Sequence, residues 1–192
     1  MMPENLDNFC PTSRQDWRTW LKKNHKSKQF VWLVLYKKGA NKPTISWSEA
    51  VDEALCFGWI DSKRKPIDSD TFIQFFSKRK TKGTWSKVNK EKVLQLINDK
   101  LMTQAGYESI ETAKQNGSWI ILDDVEELKI PKDLEQEFKT KKGSKDFFLS
   151  LSKSVKKAIL QWLVLAKRKE TRQKRINEIV ALAAQKQKPK QF

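Results

Sequence analysis

The stretch "QFVWLVLYKKG", residues 29–39, constrains this chain most. Phe30 to Tyr36 form an unbroken run of β-branched, aliphatic and aromatic residues that Gly39 ends. Such a run reads as a strand. It is apolar at odd and even positions alike, which is the pattern of a central strand covered on two sides.

The surrounding segments supply the rest of a sheet and its cover. "PTSRQDWRTWLKKN" predicts a helix with Thr12 or Ser13 as N-cap and Trp17, Trp20 and Leu21 at helical spacing. "SWSEAVDEALCFG" predicts a helix opened by a capping box between Ser46 and Glu49 and ended by Gly58. Val51, Ala54 and Leu55 make its apolar face. "WIDSKRKPI" leaves as a strand or extended loop, and "TFIQFFSKRK" reads as a strand pairing antiparallel with it. Two helices follow. Trp85–Asp99 carries Val88, Val93, Leu94, Leu96 and Ile97, and Thr103–Asn116 is capped by Thr103 and ended by Gly117. An acidic connector then leads to four helical segments, the first with a proline in its opening turn. Two of these segments carry stripes, one of Val155, Ile159, Trp162, Leu163 and Ala166, the other of Ile176, Ile179, Val180 and Ala183. No internal repeat is visible. The fold class is α+β: a small antiparallel sheet with packed helices over 9–122, followed by a C-terminal all-helical segment over 123–187.

Charge is unevenly placed on this +16 chain. Residues 1–100 hold 20 basic and 11 acidic side chains, residues 101–140 hold 4 and 9, and residues 141–192 hold 15 and 3. The acidic stretch 123–137 is expected to lie against the basic helices after it. A surface of this sign attracts polyanions and phosphorylated small molecules. The lone His25 and the distant Cys10 and Cys56 offer no zinc-ligand spacing, so no metal and no cofactor are expected. "MMPENLDNFC" has neither a basic n-region nor an apolar h-region, and no run is long enough to span a bilayer. The expected setting is cytoplasmic, with reduced thiols.

Two stretches carry candidate chemistry. In "EALCFGWIDSKRK" the half before Gly58 reads as core. In an extended segment Trp59 and Asp61 must share one face and Ile60 take the other. The expectation is that Ile60 turns inward against the preceding helix. Trp59 and Asp61 would then form a ligand-facing wall, with Lys63 or Arg79 near Asp61. In "FFSKRKTKGTWSKVNKEK" seven basic residues surround Trp85, Ser86 and Asn89. A basic loop running into a helix start makes a candidate anion site. It lacks the glycine spacing of a nucleoside-triphosphate loop. The candidate ligand-binding residues are therefore Trp59, Asp61, Arg79, Trp85, Ser86 and Asn89. No catalytic residue is assigned. His25 reads as structural, Cys56 as a buried thiol and Glu49 as part of its cap, while Glu53 and Asp61 are carboxylates whose convergence the sequence does not fix. The C-terminal basic helices carry no helix-turn-helix, RNP or zinc-finger pattern, so nucleic acid ranks below a small anionic or protein partner.

Across "WLVLYKKG…KPTISWSEAVDEALCFGWIDSKRKPID…FIQFFSKRK…WSKVNKEKV" the sequence resembles the YdeI/OmpD-associated family, the bacteriocin-protection proteins. "FLSLSKSVKKAILQWLVLAKRKETRQKRI" resembles that family's C-terminal helical segment through Trp162, Ala166, Lys167, Glu170, Thr171, Arg172, Arg175 and Ile176. The resemblance implies a role in tolerating bacteriocins or antimicrobial peptides, and an association with an outer-membrane porin. One departure is the loop "SKRKTKG", residues 77–83, where members often carry a proline-rich "SPRKPKS". A +16 chain repels a cationic peptide, so protection fits the binding of an anionic partner better than sequestration of the peptide.

Overall fold

A computed structural model describes residues 7–192. The reading of the N-terminus as free of a leader therefore lies, for residues 1–6, outside the described residues. The chain packs as two compact units, one ending at Trp119 and the other spanning Ile120–Phe192.

The first unit contains a four-stranded sheet in the order β1-β2-β4-β3. Its strands are β1 (Asn8–Phe9), β2 (Phe30–Tyr36), β3 (Trp59–Pro66) and β4 (Thr71–Lys78). β2 and β3 both pair antiparallel with β4, as expected. The sheet is nevertheless mixed rather than antiparallel, because β1 runs parallel to β2 with Asn8 opposite Trp32. The cause is the connection: helix α1 (Arg14–Asn24) carries the chain from β1 back to start β2 in the same direction, and such a crossover gives parallel neighbours.

The β2–β4 register sorts the side chains. Val31, Leu33 and Leu35 face the same side as Phe76, Gln74 and Phe72. Apart from the polar Gln74, these join the main core with Trp17 and Leu21 of α1 and Val51, Ala54 and Leu55 of α2 (Trp47–Cys56). Trp32, Val34 and Ile73 form a separate cluster on the opposite side. Phe75 packs on Trp32 at 5.0 Å and Lys65 Nζ lies 5.2 Å from its ring, so β2 is buried on both faces.

Helix α2 begins at the expected capping box, with Ser46 Oγ accepting from the Glu49 amide and the Glu49 side chain accepting from the Ser46 amide. The α1–α2 contact is fixed by the Trp17 indole donating to the Ala50 carbonyl at 3.0 Å. Helix α3 (Lys87–Asn98) buries Val93 and Leu96, whereas Val88 and Leu94 are exposed and so do not belong to its core stripe. Helix α4 (Gln104–Gln115) follows its N-cap Thr103, whose hydroxyl accepts no bond from the helix and instead donates to the Cys56 carbonyl at 2.6 Å. A Cβ on Gly106 would stand 2.5 Å from that same carbonyl oxygen, so glycine lets α4 lie against the end of α2.

The second unit is helical: α5 (Asp123–Glu126), α6 (Lys132–Phe138), α7 (Ser144–Ser150), α8 (Lys153–Val164) and α9 (Lys169–Ala184). The proline expected inside the first turn of α6, Pro131, is its N-cap. Ile176, Ile179, Val180 and Ala183 are buried with Ile159, Leu163, Phe138 and Phe148. Ala166 lies beyond the end of α8. The acidic stretch does meet the basic helices. Asp133 accepts two bonds from Arg172 at 2.5 and 2.9 Å, Glu126 pairs with Lys157 at 2.6 Å, and Glu135 pairs with Lys145. Arg175 lies over Trp162, 4.7 Å from its ring centroid. Three of the fifteen basic side chains of residues 141–192 are thus paired with the acidic stretch inside their own unit.

Candidate functional site

Gly58 makes the seam between core and cleft. Its φ is +70°, and a Cβ there would meet the Ala105 carbonyl oxygen of α4 at 2.9 Å. Before it, Ala54, Leu55, Cys56 and Phe57 are buried, as expected. After it, Trp59 and Asp61 stand opposite Lys78 and Phe76 of β4 and so share a face, as the two-residue period requires. That face is the helix-covered one. Trp59 is fully buried, packs edge-on against Trp20 at 5.9 Å and points its indole N–H at the His25 carbonyl, while Ile60 is only half-buried. The inward role expected of Ile60 belongs to Trp59, because the indole buries far more apolar area.

Asp61 accepts from the Trp47 indole at 3.0 Å and from the Gln74 amide at 3.4 Å. Glu53 is buried elsewhere, bound to Arg14 Nε at 2.5 Å and Arg18 Nη1 at 2.6 Å. The two carboxylates have separate partners and build no acid–base pair. Cys56 is buried, and desolvation, reinforced by the Glu53 charge, pushes its thiol up to about 11. This is an inert thiol.

The basic loop after β4 holds the most unusual group. Arg79 is tied to the seam through its backbone N–H, which donates to the Gly58 carbonyl at 2.9 Å. Its guanidinium lies on Trp85, 3.5 Å from the ring centroid, and Nη1 donates to the Thr84 carbonyl at 3.2 Å. Nε and Nη2 are buried and have no hydrogen-bond partner among the described residues. Burial pushes its pKa down to about 10, against the favourable field of Asp61. Trp85 is itself buried and packs on Trp119 at 4.9 Å. The loop between them is held by Asn116, whose side-chain amide donates to the Thr81 carbonyl at 2.7 Å.

Arg79 lines a cleft of about 340 Å³ together with Trp59 and Trp85. Three of the six expected ligand residues therefore meet in one cavity. Asp61, Ser86 and Asn89 do not line it: Ser86 is the N-cap of α3 and its hydroxyl accepts from the Asn89 amide at 3.3 Å. Sequence reasoning missed Glu108, Ser109 and Thr112, which also line the cleft, as do His25, read as structural, and Lys78, counted in the basic run. Ser109 and Thr112 stand three apart on one face of α4, a spacing visible in the sequence, but nothing there aims that face at Gly58.

Among the described residues no cluster of His, Cys, Asp or Glu has the geometry to hold a metal, and no helix is long and apolar enough to cross a membrane.

Residues 9–109, more than half the chain, match the family model of a domain of unknown function, DUF8412. Residues 127–186 match the model described as "Bacteriocin-protection, YdeI or OmpD-Associated". The chain belongs to the DUF8412 family, and its C-terminal helical stretch is similar to the YdeI/OmpD-associated model. The YdeI/OmpD-associated relationship read from the sequence is thus present, over the C-terminal helices; "EAVDEALCFGWID" falls inside the DUF8412 match. No curated protein and no solved structure matches the chain.

Proposed function

We propose that the DUF8412 unit binds a small anion, a carboxylate or phosphate compound, in the Arg79 cleft, and that this binding serves tolerance to bacteriocins or antimicrobial peptides without catalysis. One observation carries the reading: a cation already stripped of water, stacked on Trp85, with the N–H groups of two of its nitrogens unspent. Hydrogen bonds from a desolvated guanidinium to an anion are strong and directional. Lys78 and Lys80 on the cleft wall add positive potential, and Ser109 and Thr112 add hydroxyls that suit the remaining oxygens. The family description supports the protective role. The two free thiols support a cytoplasmic setting.

The test is binding followed by protection. Inorganic phosphate and citrate are titrated against the protein by calorimetry and thermal shift, beside Arg79→Met. Stabilisation of the wild type that the variant loses supports the proposal. Cells expressing each form are then challenged with a bacteriocin, and protection should fail with Arg79→Met at equal protein level. Equal anion binding by both proteins would sink the assignment.

A further inference from the structure

A second, larger cleft of about 840 Å³ lies on the first unit and shares no lining residue with the Arg79 cleft. It is formed by the end of β2, the loop into α2 and the outer half of β3. Its charged lining is Lys37, Lys38, Lys42 and Arg64, with no carboxylate among the lining residues. Its aromatic lining is Tyr36, Trp47 and Phe72.

Two side chains are posed for use. Trp47 is 48% exposed, the most exposed tryptophan on the described surface, yet it is not free to move. Its backbone is the first turn of a helix closed by a capping box, and its indole N–H is donated to Asp61 at 3.0 Å. One end of the ring is anchored and a face is left to solvent. Arg64 owes its position to a β-bulge. Asp61 stands opposite Phe76, but Arg64, three residues on, stands opposite Gln74, two residues back along β4. The extra residue reverses the alternation and brings Arg64 to the face of Asp61 and Phe72. There its guanidinium lies over Phe72, 3.7 Å from the ring centroid. It makes no hydrogen bond or ion pair among the described residues, so its N–H groups are unspent.

We infer that this cleft binds a nucleotide unit, its base stacked on Trp47 and its phosphate held by Arg64 and the loop lysines. The volume is that of a small-ligand site. A fixed, exposed indole is a stacking platform, and stacking is tolerant of which base is offered. Four cations and no carboxylate among the lining residues call for phosphate, the one carboxylate nearby, Asp61, being engaged by the Trp47 and Gln74 side chains, and an arginine stacked on a ring keeps its planar fork ready for a phosphate oxygen pair. A simple anion leaves the aromatic wall unused, and an uncharged aromatic leaves the cations unused. A free nucleotide and a nucleotide within a single strand share this chemistry.

The experiment measures anisotropy of a labelled oligothymidylate of about ten nucleotides, with ATP and ribose 5-phosphate as competitors. The proteins are wild type, Trp47→Ala, Trp47→Phe and Arg64→Ser, with the double change at Lys141 and Lys142 to Ser as a charge control on the other unit. Binding should fall about tenfold or more with Trp47→Ala, and much less with Trp47→Phe, which keeps a flat ring. Arg64→Ser should lower the salt dependence, log K against log salt, by about 0.7 for one lost phosphate contact. Melting curves should be nearly unchanged for Trp47→Phe and Arg64→Ser, since both side chains are exposed. Displacement by ATP marks a free nucleotide as the ligand; binding of the strand that ATP does not displace marks a single strand. Ribose 5-phosphate competing as well as ATP, binding unmoved by Trp47→Ala, or no binding of strand or ATP would each overturn the inference. The double change at Lys141 and Lys142, which lie on the other unit, should leave all of these readings nearly unchanged.

Discussion

Arg79→Met separates stability from binding, because a buried cation without its anion is expensive to keep. The fall in pKa from the ordinary guanidinium range to about 10 corresponds to roughly 3 kcal/mol of cost for the charged form at neutral pH. Against this stand the stack on Trp85, worth about 1–2 kcal/mol, and the charged bond to Thr84, worth about 1.5–3 kcal/mol. Methionine gives up the bond and the charge but keeps a thioether contact with the indole, worth about 1 kcal/mol. The terms nearly cancel, so the variant should melt within about 1 kcal/mol of the wild type, a shift of about 2–4 °C for a chain of this size. Adding anion should then separate them, since ligand at about 100 times its dissociation constant stabilises only the form that binds it, by about 2.7 kcal/mol. The pH dependence has a definite sign. The folded pKa of Arg79 is depressed, so the cost is fully present below about pH 10 and fades as pH rises from there toward the ordinary guanidinium pKa. The wild type should gain on the variant over that window and not below it. The assay is denaturant melting of both proteins at pH 7, with and without phosphate, and again above pH 10. A loss above about 3 kcal/mol for the variant without anion would mean that Arg79 is a structural cation, and the reasoning would fail.

Gly58→Ala should cost about 1–3 kcal/mol from its left-handed backbone alone, with more from the contact at the Ala105 carbonyl; an unchanged melting temperature would contradict the close approach of α4. Glu53→Gln should cost about 3 kcal/mol in denaturant melts, since it breaks a buried carboxylate's pairing with two arginines, the figure being held down because both arginines keep contact with water. In thiol labelling of the native protein Cys10 should react first, because it is exposed, and Cys56 only on unfolding; burial has raised both thiols, Cys56 to about 11.

Much of the fold was legible because its signals are local. The run Phe30–Tyr36, the capping box at Ser46 and Glu49, and the stripe Ile176–Ala183 each carry their own periodicity or chemistry, and each stands where expected. The parallel strand was invisible because two residues, Asn8 and Phe9, have no periodicity to read. The site was legible in kind but not in membership. Sequence placed seven cations between Phe75 and Lys92 but could not say that one of them, Arg79, would be buried with N–H groups unspent, since that depends on Trp85 closing over it. The period of two put Trp59 and Asp61 on one face but did not say which face was covered; the helices decide that, and they cover Trp59. Ser86 and Asn89 were read from a real feature, a helix start, but the Ser86 oxygen caps that helix by accepting from the Asn89 amide and neither residue lines the Arg79 cleft.

Strand β3 explains how one small sheet serves two clefts. A strand without irregularity repeats every two residues, so a side chain three places beyond Asp61 points away from it. The bulge between Asp61 and Arg64 cancels that reversal. Before it, Trp59 closes the floor of the Arg79 cleft; after it, Arg64 crosses to Phe72 and enters the cleft of Trp47. Asp61 stands at the turn-over point, holding the Trp47 indole on one side and favouring the Arg79 charge on the other. Its carboxylate has no cation in ion-pair contact among the described residues, and its field therefore reaches both places. A salt bridge to Lys63 would have satisfied the aspartate more simply, but it would have screened Arg79 from that field and drawn the carboxylate away from the indole. The absence of that local pair among the described residues leaves one carboxylate supporting both candidate sites.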